Sequence, residues 1–112
     1  MALTIWHNPR CSKSRETLAL LEARGLAPAV RLYLKDAPSL AELQGALTRL
    51  GQPASALVRW KDAAEIGLAR EASEAEILAA LIAHPALIER PLVLTDTAAR
   101  LGRPPEAVLD IL

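Results

Sequence analysis

Cys11 is the only cysteine among the 112 residues, and the segment around it, residues 7–15, is polar and basic. A single cysteine is more often a buried, inert hydrophobe than a catalyst. The charged neighbours argue against burial here, and no acidic residue occurs before Glu16. Positive charge beside a cysteine lowers its pKa from about 8.5 to between roughly 3.5 and 7.5, which populates the nucleophilic thiolate at neutral pH. Cys11 is therefore the candidate nucleophile.

Cys11 stands where a strand is expected to end and a helix to begin. Residues 3–6 are a short apolar run that predicts a strand, and Pro9 turns the chain because it disfavours helical geometry in the residue before it. Leucines recur at helical spacing after Ser12, and Gly25 is a typical stop signal. At the helix N-terminus, unpaired N–H groups and the helix dipole favour an anion, either a thiolate or a bound oxyanion.

Several side chains of the same segment are expected to support this site. Positive charge comes from Arg10, Lys13 and Arg15, to which His7 would add its own. Asn8 is a typical turn residue and is expected to shape the turn before Cys11.

The composition excludes several functional classes. Thirteen Lys and Arg residues balance thirteen Asp and Glu residues, and the few aromatic residues are scattered, which argues against nucleic-acid binding. Trp6 and Trp60 are expected to serve packing. One cysteine excludes an internal disulfide and a cysteine-rich metal site, and His7 and His84 are too far apart in sequence to predict zinc binding. We expect no metal and no bound cofactor.

The sequence also carries expectations about where the protein is located and whether it assembles. The sequence begins without a signal-peptide pattern, and it has no apolar stretch of about 18 residues. We therefore expect a cytoplasmic protein without a membrane segment, in which the thiol stays reduced. We also expect a monomer, because no exposed heptad or long apolar edge is evident.

The remaining pattern alternates strands and helices within one predicted domain, residues 1–112. Residues 29–34 predict a second strand, parallel to the first because a helix connects them. Two capping-box patterns, each a serine followed three residues later by a glutamate, open two helices in a mainly helical insertion at about residues 36–84. Beyond the insertion we predict three further elements: a strand at 91–95, a partner strand at 98–101 and a last helix at 104–112.

The chain resembles the glutaredoxin-coupled arsenate reductase family, also called the ArsC family. The resemblance is carried by four segments in order: residues 7–15 (HNPRCSKSR) with Thr17-Leu18, Leu57-Val58-Arg59, residues 87–93 (LIERPLV) and residues 102–106 (GRPPE). It covers essentially the whole chain. It implies an α/β fold, a thioredoxin-like mixed sheet flanked by helices with a helical insertion.

The resemblance also implies roles for individual residues. Cys11 would be the nucleophile, and three arginines would bind the oxyanion: Arg59, Arg90 and Arg103. Arginine suits this task because it offers planar, permanently charged donors. His7 would help to favour the thiolate, Ser14 and Arg15 would help to hold it, and Pro91 would be a cis-proline facing the cysteine.

The reaction implied by the resemblance is the reduction of arsenate to arsenite. The Cys11 thiolate would attack arsenic(V), glutathione would be the cosubstrate, and glutaredoxin would supply the second thiol. A chain with one cysteine cannot resolve its own intermediate as a disulfide, so the second reducing equivalent must come from outside.

Other functions are weighed against this one. A phosphatase-like arsenate reductase would need an arginine six positions after Cys11, where Thr17 stands, and a thioredoxin-type redox pair would need a second cysteine in place of Ser14. Two alternatives stay open. One is an ArsC-like thiol oxidoreductase that acts on another oxyanion or thiol substrate. The other is a non-enzymatic domain that binds glutaredoxin.

Overall fold

The computed structural model describes residues 2–112, and it divides the chain into two compact units. One unit is formed by the chain up to Asp36 together with Arg90–Leu112, and the other is Ala37–Glu89. Among the described residues, no helix combines the length and the apolar character needed to cross a membrane.

The first unit contains the sheet. In residues 2–112, four strands form one sheet in the order β2-β1-β3-β4: β1 (Thr4–Trp6), β2 (Ala29–Arg31), β3 (Leu92–Leu94) and β4 (Ala99–Leu101). β1 pairs with β2 in parallel, as the predicted strand-helix-strand unit requires, while β1 with β3 and β3 with β4 are antiparallel. The thioredoxin-like α/β class predicted from the sequence, a mixed sheet with helices, is confirmed.

The helices of this unit pack on the sheet through a small apolar core. Helix α1 (Ser12–Ala23) connects β1 to β2, and Gly25, the predicted stop signal, follows it with a left-handed backbone (φ +77°). The core consists of side chains from β1, α1, β3 and the C-terminal helix: Ile5, Leu21, Val93 and Val108. Each is fully buried, which stabilises an apolar side chain by roughly 1.5–3 kcal/mol.

Two predicted elements differ from the structure. The second strand was expected to reach residue 34 but ends at Arg31, because the Leu32 carbonyl accepts the N–H groups of Lys35 and Asp36 and so closes a turn. Its partner β1 ends at Trp6, which pairs with Arg31, so the strand pairing does not continue beyond Arg31. The last helix, Pro105–Ile111, is a 3-10 helix, the tighter form that is typical of short pieces.

The second unit is helical. Its helices are α2 (Leu40–Leu50), α3 (Trp60–Ala63) and α4 (Glu74–Ala83), with 3-10 turns at Ala54–Leu57, Ala64–Ile66 and Pro85–Leu87. The sequence predicts a mainly helical insertion at about residues 36–84, and the 3-10 turn Pro85–Leu87 directly follows that range. Both predicted capping boxes are confirmed: Ser39 with Glu42 opens α2, and Ser73 with Glu76 opens α4.

Candidate active site

Cys11 is the N-cap residue of α1, as the sequence predicts, with extended backbone angles (φ −91°, ψ 123°). Its N–H donates to the Asn8 carbonyl at 3.0 Å, and its carbonyl accepts the Arg15 N–H at 3.0 Å, the first bond of the helix. The side chain is half-buried. This places the thiol against the positive end of the helix dipole.

Asn8 holds the turn that leads into the helix. Its side chain is buried, and its Oδ1 accepts the N–H of Arg10 at 3.0 Å, the bond of an Asx turn. Together with the bond from Cys11 N–H to the Asn8 carbonyl, this fixes the backbone on the N-terminal side of the cysteine.

His7 and Ser14 form a buried polar pair behind the cysteine. The distance from His7 Nδ1 to Ser14 Oγ is 2.6 Å, and the same hydroxyl accepts the Asn8 N–H at 3.0 Å. Burial lowers the pKa of His7, and the positive charge of Arg15 lowers it further, although Glu22 opposes the shift. The structure therefore does not favour the positive charge that the sequence interpretation expected of His7.

Two arginines from the C-terminal part of the chain reach the thiol. Arg103 donates from Nη2 to Cys11 Sγ at 3.8 Å, and from Nε to the Arg90 carbonyl at 2.9 Å. Arg90 makes a side-chain hydrogen bond that favours the Cys11 thiolate. The arginines are thus linked to each other as well as to the sulfur.

The balance of these contacts lowers the pKa of Cys11. Burial is the largest influence and raises it. It is outweighed by the backbone N–H of Ser14, the side chain of Arg90, the backbone N–H of Lys13 and the positive charge of Arg90, which all favour the thiolate. The arrangement is a nucleophilic anion beside permanently charged donors, which suits attack on a second anion that needs neutralisation.

Ser14 contacts the thiolate, whereas the Arg15 side chain bonds the turn before Cys11, and the sequence specified neither arrangement. Ser14 acts on the thiolate through its backbone, while its hydroxyl is engaged by His7 and Asn8. The Arg15 guanidinium donates from Nη1 to the Pro9 carbonyl at 2.9 Å, on the turn before Cys11.

Arg59, the third predicted oxyanion binder, belongs to the second unit. There its Nε lies 2.8 Å from Asp62 Oδ2, and its Nη1 lies 3.7 Å from Glu89 Oε1. Its backbone N–H donates to the Leu87 carbonyl at 2.7 Å. The guanidinium is thus partly neutralised by two carboxylates, and its role in anion binding stays a prediction.

Pro91 directly follows Arg90, and the peptide bond between them is cis, as the resemblance implied; the Arg103–Pro104 bond is also cis and was not anticipated. In residues 2–112, no group of three or more His, Cys, Asp and Glu side chains is placed to hold a metal ion.

One residue close to the site was missed by the sequence interpretation. Gly102 is buried and so close to Thr17 and Pro91 that it has no room for a side chain. It stands in a segment that carries the family resemblance, but a contact between residues so far apart in the chain has no local sequence signal.

Comparisons with known proteins show which family the chain is similar to. Residues 6–111 match the model of the ArsC family. The chain is 47% identical to an arsenate reductase of Haemophilus influenzae, with all of both chains covered, and 44% identical to one of Rhizobium meliloti, with all of this chain and 82% of the relative covered. Among solved structures, an arsenate reductase from Vibrio cholerae is similar with a TM-score of 0.89 and 46% identity, covering 100% of this chain and 98% of that one.

Proposed function

Because this chain belongs to the ArsC family, we propose that it is an arsenate reductase that works through a covalent adduct on Cys11. The observation that carries the proposal is the position of Cys11 Sγ, which is 3.8 Å from Arg103 Nη2, hydrogen-bonded to Arg90 and seated at the N-cap of α1. The relatives named arsenate reductase, one matched over its whole length and the other over 82% of it, support arsenic as the reacting element.

In the first step the Cys11 thiolate attacks arsenic(V). A sulfur–arsenic bond forms, and one arsenate oxygen, protonated from solvent, leaves as water. Arg90 and Arg103 reduce the repulsion between thiolate and oxyanion, and they stabilise the negative charge that builds up on the arsenate oxygens. Arg59 is the third predicted contributor to this binding.

The reduction that follows needs two further thiols. Glutathione displaces a second oxygen as water, which gives arsenic(V) with two sulfur ligands. A glutaredoxin thiol then attacks the glutathione sulfur, so that a disulfide forms and the electron pair of the broken arsenic–sulfur bond stays on arsenic. Water releases arsenite and restores the thiolate. In sum, arsenate and two thiols give arsenite, one disulfide and water, which fits a chain with one cysteine in a reducing cytoplasm.

A groove with room for a small thiol lies along α1, the helix whose N-cap is Cys11. It has a volume of about 600 Å³ and lies between α1 and the 3-10 helix Pro105–Ile111, with Lys13, Glu16, Leu20 and Pro104 in its lining. Lys13 is two residues from Cys11, and Pro104 follows Arg103. The lining therefore adjoins the site residues in sequence, although Cys11 itself does not line the groove.

The test is arsenate-dependent consumption of NADPH in the presence of glutathione, glutaredoxin and glutathione reductase. Wild type is compared with Cys11→Ser, which keeps the size of the side chain but lacks the thiolate. We expect activity only in the wild type, and none when phosphate replaces arsenate.

Two other outcomes would favour the alternatives. No turnover of arsenate by a folded protein with a low-pKa Cys11 would point to another oxyanion or thiol substrate. Binding of glutaredoxin that is unchanged in Cys11→Ser, without turnover, would point to a non-enzymatic domain. Turnover with thioredoxin in place of glutathione and glutaredoxin would keep the reductase but change its reductant.

A further inference from the structure

Gly102 packs against two other parts of the site with no space for a side chain. A methyl group added to it would overlap Oγ1 of Thr17, and its carbon would lie 2.7 Å from Cγ of Pro91 and 3.1 Å from Cγ2 of Thr17. Carbon atoms in contact prefer about 3.5–4.0 Å. Gly102 does not have a positive φ, so its backbone conformation is open to other residues. Glycine is therefore required here because Thr17 and Pro91 come so close, and not because of its backbone angles.

The three residues in this contact are each joined to a part of the thiolate site. Pro91 follows Arg90 and Gly102 precedes Arg103, and the Gly102 N–H donates to the Pro91 carbonyl at 2.9 Å. Beyond this bond, Arg103 Nε donates to the Arg90 carbonyl at 2.9 Å. The two arginine segments are thus tied together at two successive points.

Thr17 provides the third connection, to the helix that carries the cysteine. It is fully buried on α1, and its Oγ1 donates to the Lys13 carbonyl at 2.8 Å. Lys13 is one of the residues whose backbone N–H lowers the pKa of Cys11. Gly102 therefore rests on the first turns of the helix whose N-cap is the nucleophile.

We propose that Gly102 is a positioning residue. Its packing between Thr17 and Pro91 sets the guanidinium groups of Arg90 and Arg103 at hydrogen-bonding distance from the Cys11 sulfur. A side chain at this position separates α1 from the two arginine segments by about 1 Å, the difference between the available space and ordinary carbon contact. A misplacement of that size in a reacting constellation can cost about 10²-fold in rate.

The first test introduces Gly102→Ala and measures the pH dependence of Cys11 alkylation by iodoacetamide. We expect the midpoint to rise toward about 8.5, the value of a free thiol. The matched control is Gly45→Ala, because Gly45 lies on α2 and a methyl group there meets nothing within 4 Å. The control should keep the wild-type midpoint. A folded Gly102→Ala protein with the wild-type midpoint would overturn the proposal.

A second pair of variants decides the matter if Gly102→Ala does not fold. Thr17→Ala removes the two Thr17 atoms against which Gly102 packs, without adding any. Thr48→Ala is its control, because Thr48 Oγ1 makes the same bond to the carbonyl four residues earlier, Gln44, at 2.9 Å on the exposed side of α2. We expect Thr17→Ala alone to raise the alkylation midpoint. A loss of thermal stability with an unchanged midpoint would mean that the contact is only structural, and the proposal would be overturned.

Kinetics give an additional readout that rests on the proposed function. The KM for arsenate should rise by roughly tenfold to a hundredfold in Gly102→Ala, because the arginines that receive the oxyanion are displaced. Alkylation needs no arsenate, so the two proposals can fail separately. A raised midpoint in a protein whose wild type does not reduce arsenate would refute the reductase function and keep the positioning role.

Discussion

Arg103 and Cys11 are 92 residues apart in the sequence and meet in the structure, where Nη2 of Arg103 donates to the cysteine sulfur across 3.8 Å. The same guanidinium is anchored by its Nε to the Arg90 carbonyl. The donor that faces the sulfur is therefore held in place before any substrate arrives. Such preorganised donors stabilise charge more effectively than groups that must reorient during the reaction.

Arg90 should control the protonation of Cys11. Its side chain acts on the thiolate both as a hydrogen-bond donor and as a positive charge, and both effects lower the cysteine pKa. In Arg90→Ala, burial of the thiol is opposed only by the helix N–H groups and by Arg103, so the pKa should rise and the thiolate fraction at pH 7 should fall. The pH dependence of iodoacetamide alkylation measures this shift. Arg100→Ala is the control, since Arg100 is exposed on β4. Equal alkylation midpoints in Arg90→Ala and Arg100→Ala would contradict the role of Arg90 in lowering the Cys11 pKa.

Arg103 should contribute mainly to turnover of the oxyanion. Removal of one donor from a preorganised anion site costs about 10²–10³ in kcat. We expect a loss of this order in Arg103→Ala, and only partial recovery in Arg103→Lys, since a lysine cannot donate to the sulfur and to the Arg90 carbonyl from one planar group. Steady-state arsenate kinetics measure the kcat of both variants, and circular dichroism checks that they are folded. Full activity of Arg103→Lys would mean that charge alone suffices.

The local features of this fold were predictable because their causes are local. Ser39 and Ser73 each precede a glutamate by three residues, and both capping boxes form. Pro9 and Ser12 likewise place the start of α1, and with it the N-cap position of Cys11, within a few residues. These elements depend on backbone chemistry that is visible in a short window of sequence.

The contacts that complete the site were not predictable in this way. That Gly102 needs to be a glycine follows from Thr17 and Pro91, which are distant in the chain, and not from its own backbone angles. The end of β2 at Arg31 likewise depends on where its partner β1 stops. The roles of Arg59, Arg90 and Arg103 came from a family resemblance, because spacing alone does not distinguish them from other arginines.

Arg59 is expected to bind the oxyanion although two carboxylates hold it in the second unit. Its side chain is only 16% exposed. Arg59→Ala should therefore raise the KM for arsenate, and loss of the ion pairs should lower the free energy of unfolding by about 1 kcal/mol. Arg49→Ala, in the last turn of α2, is the control and should leave the KM unchanged. If Arg59→Ala lowers stability but leaves the KM unchanged, the residue is structural and the anion site consists of Arg90 and Arg103.

His7 should make the stability of the protein depend on pH in a defined window. Burial and the charge of Arg15 lower its pKa in the folded state, whereas in the unfolded chain it titrates at about 6.5. Below that pH the unfolded state binds a proton that the folded state does not, so the free energy of unfolding should fall as the pH drops from about 6.5 through the folded pKa.

Urea unfolding between pH 5 and 7.5 measures this effect, and the Cys11→Ser background removes the titration of the thiol. This range also lies above the window of Glu76, whose pKa is lowered by Ser73. In His7→Gln the slope should flatten, because the group that takes up the proton is gone. His84→Gln is the control for loss of a histidine, since His84 is exposed at the end of α4. An equal slope with and without His7 would mean that the imidazole binds its proton equally well in both states, and that its bond to Ser14 accommodates the charged ring.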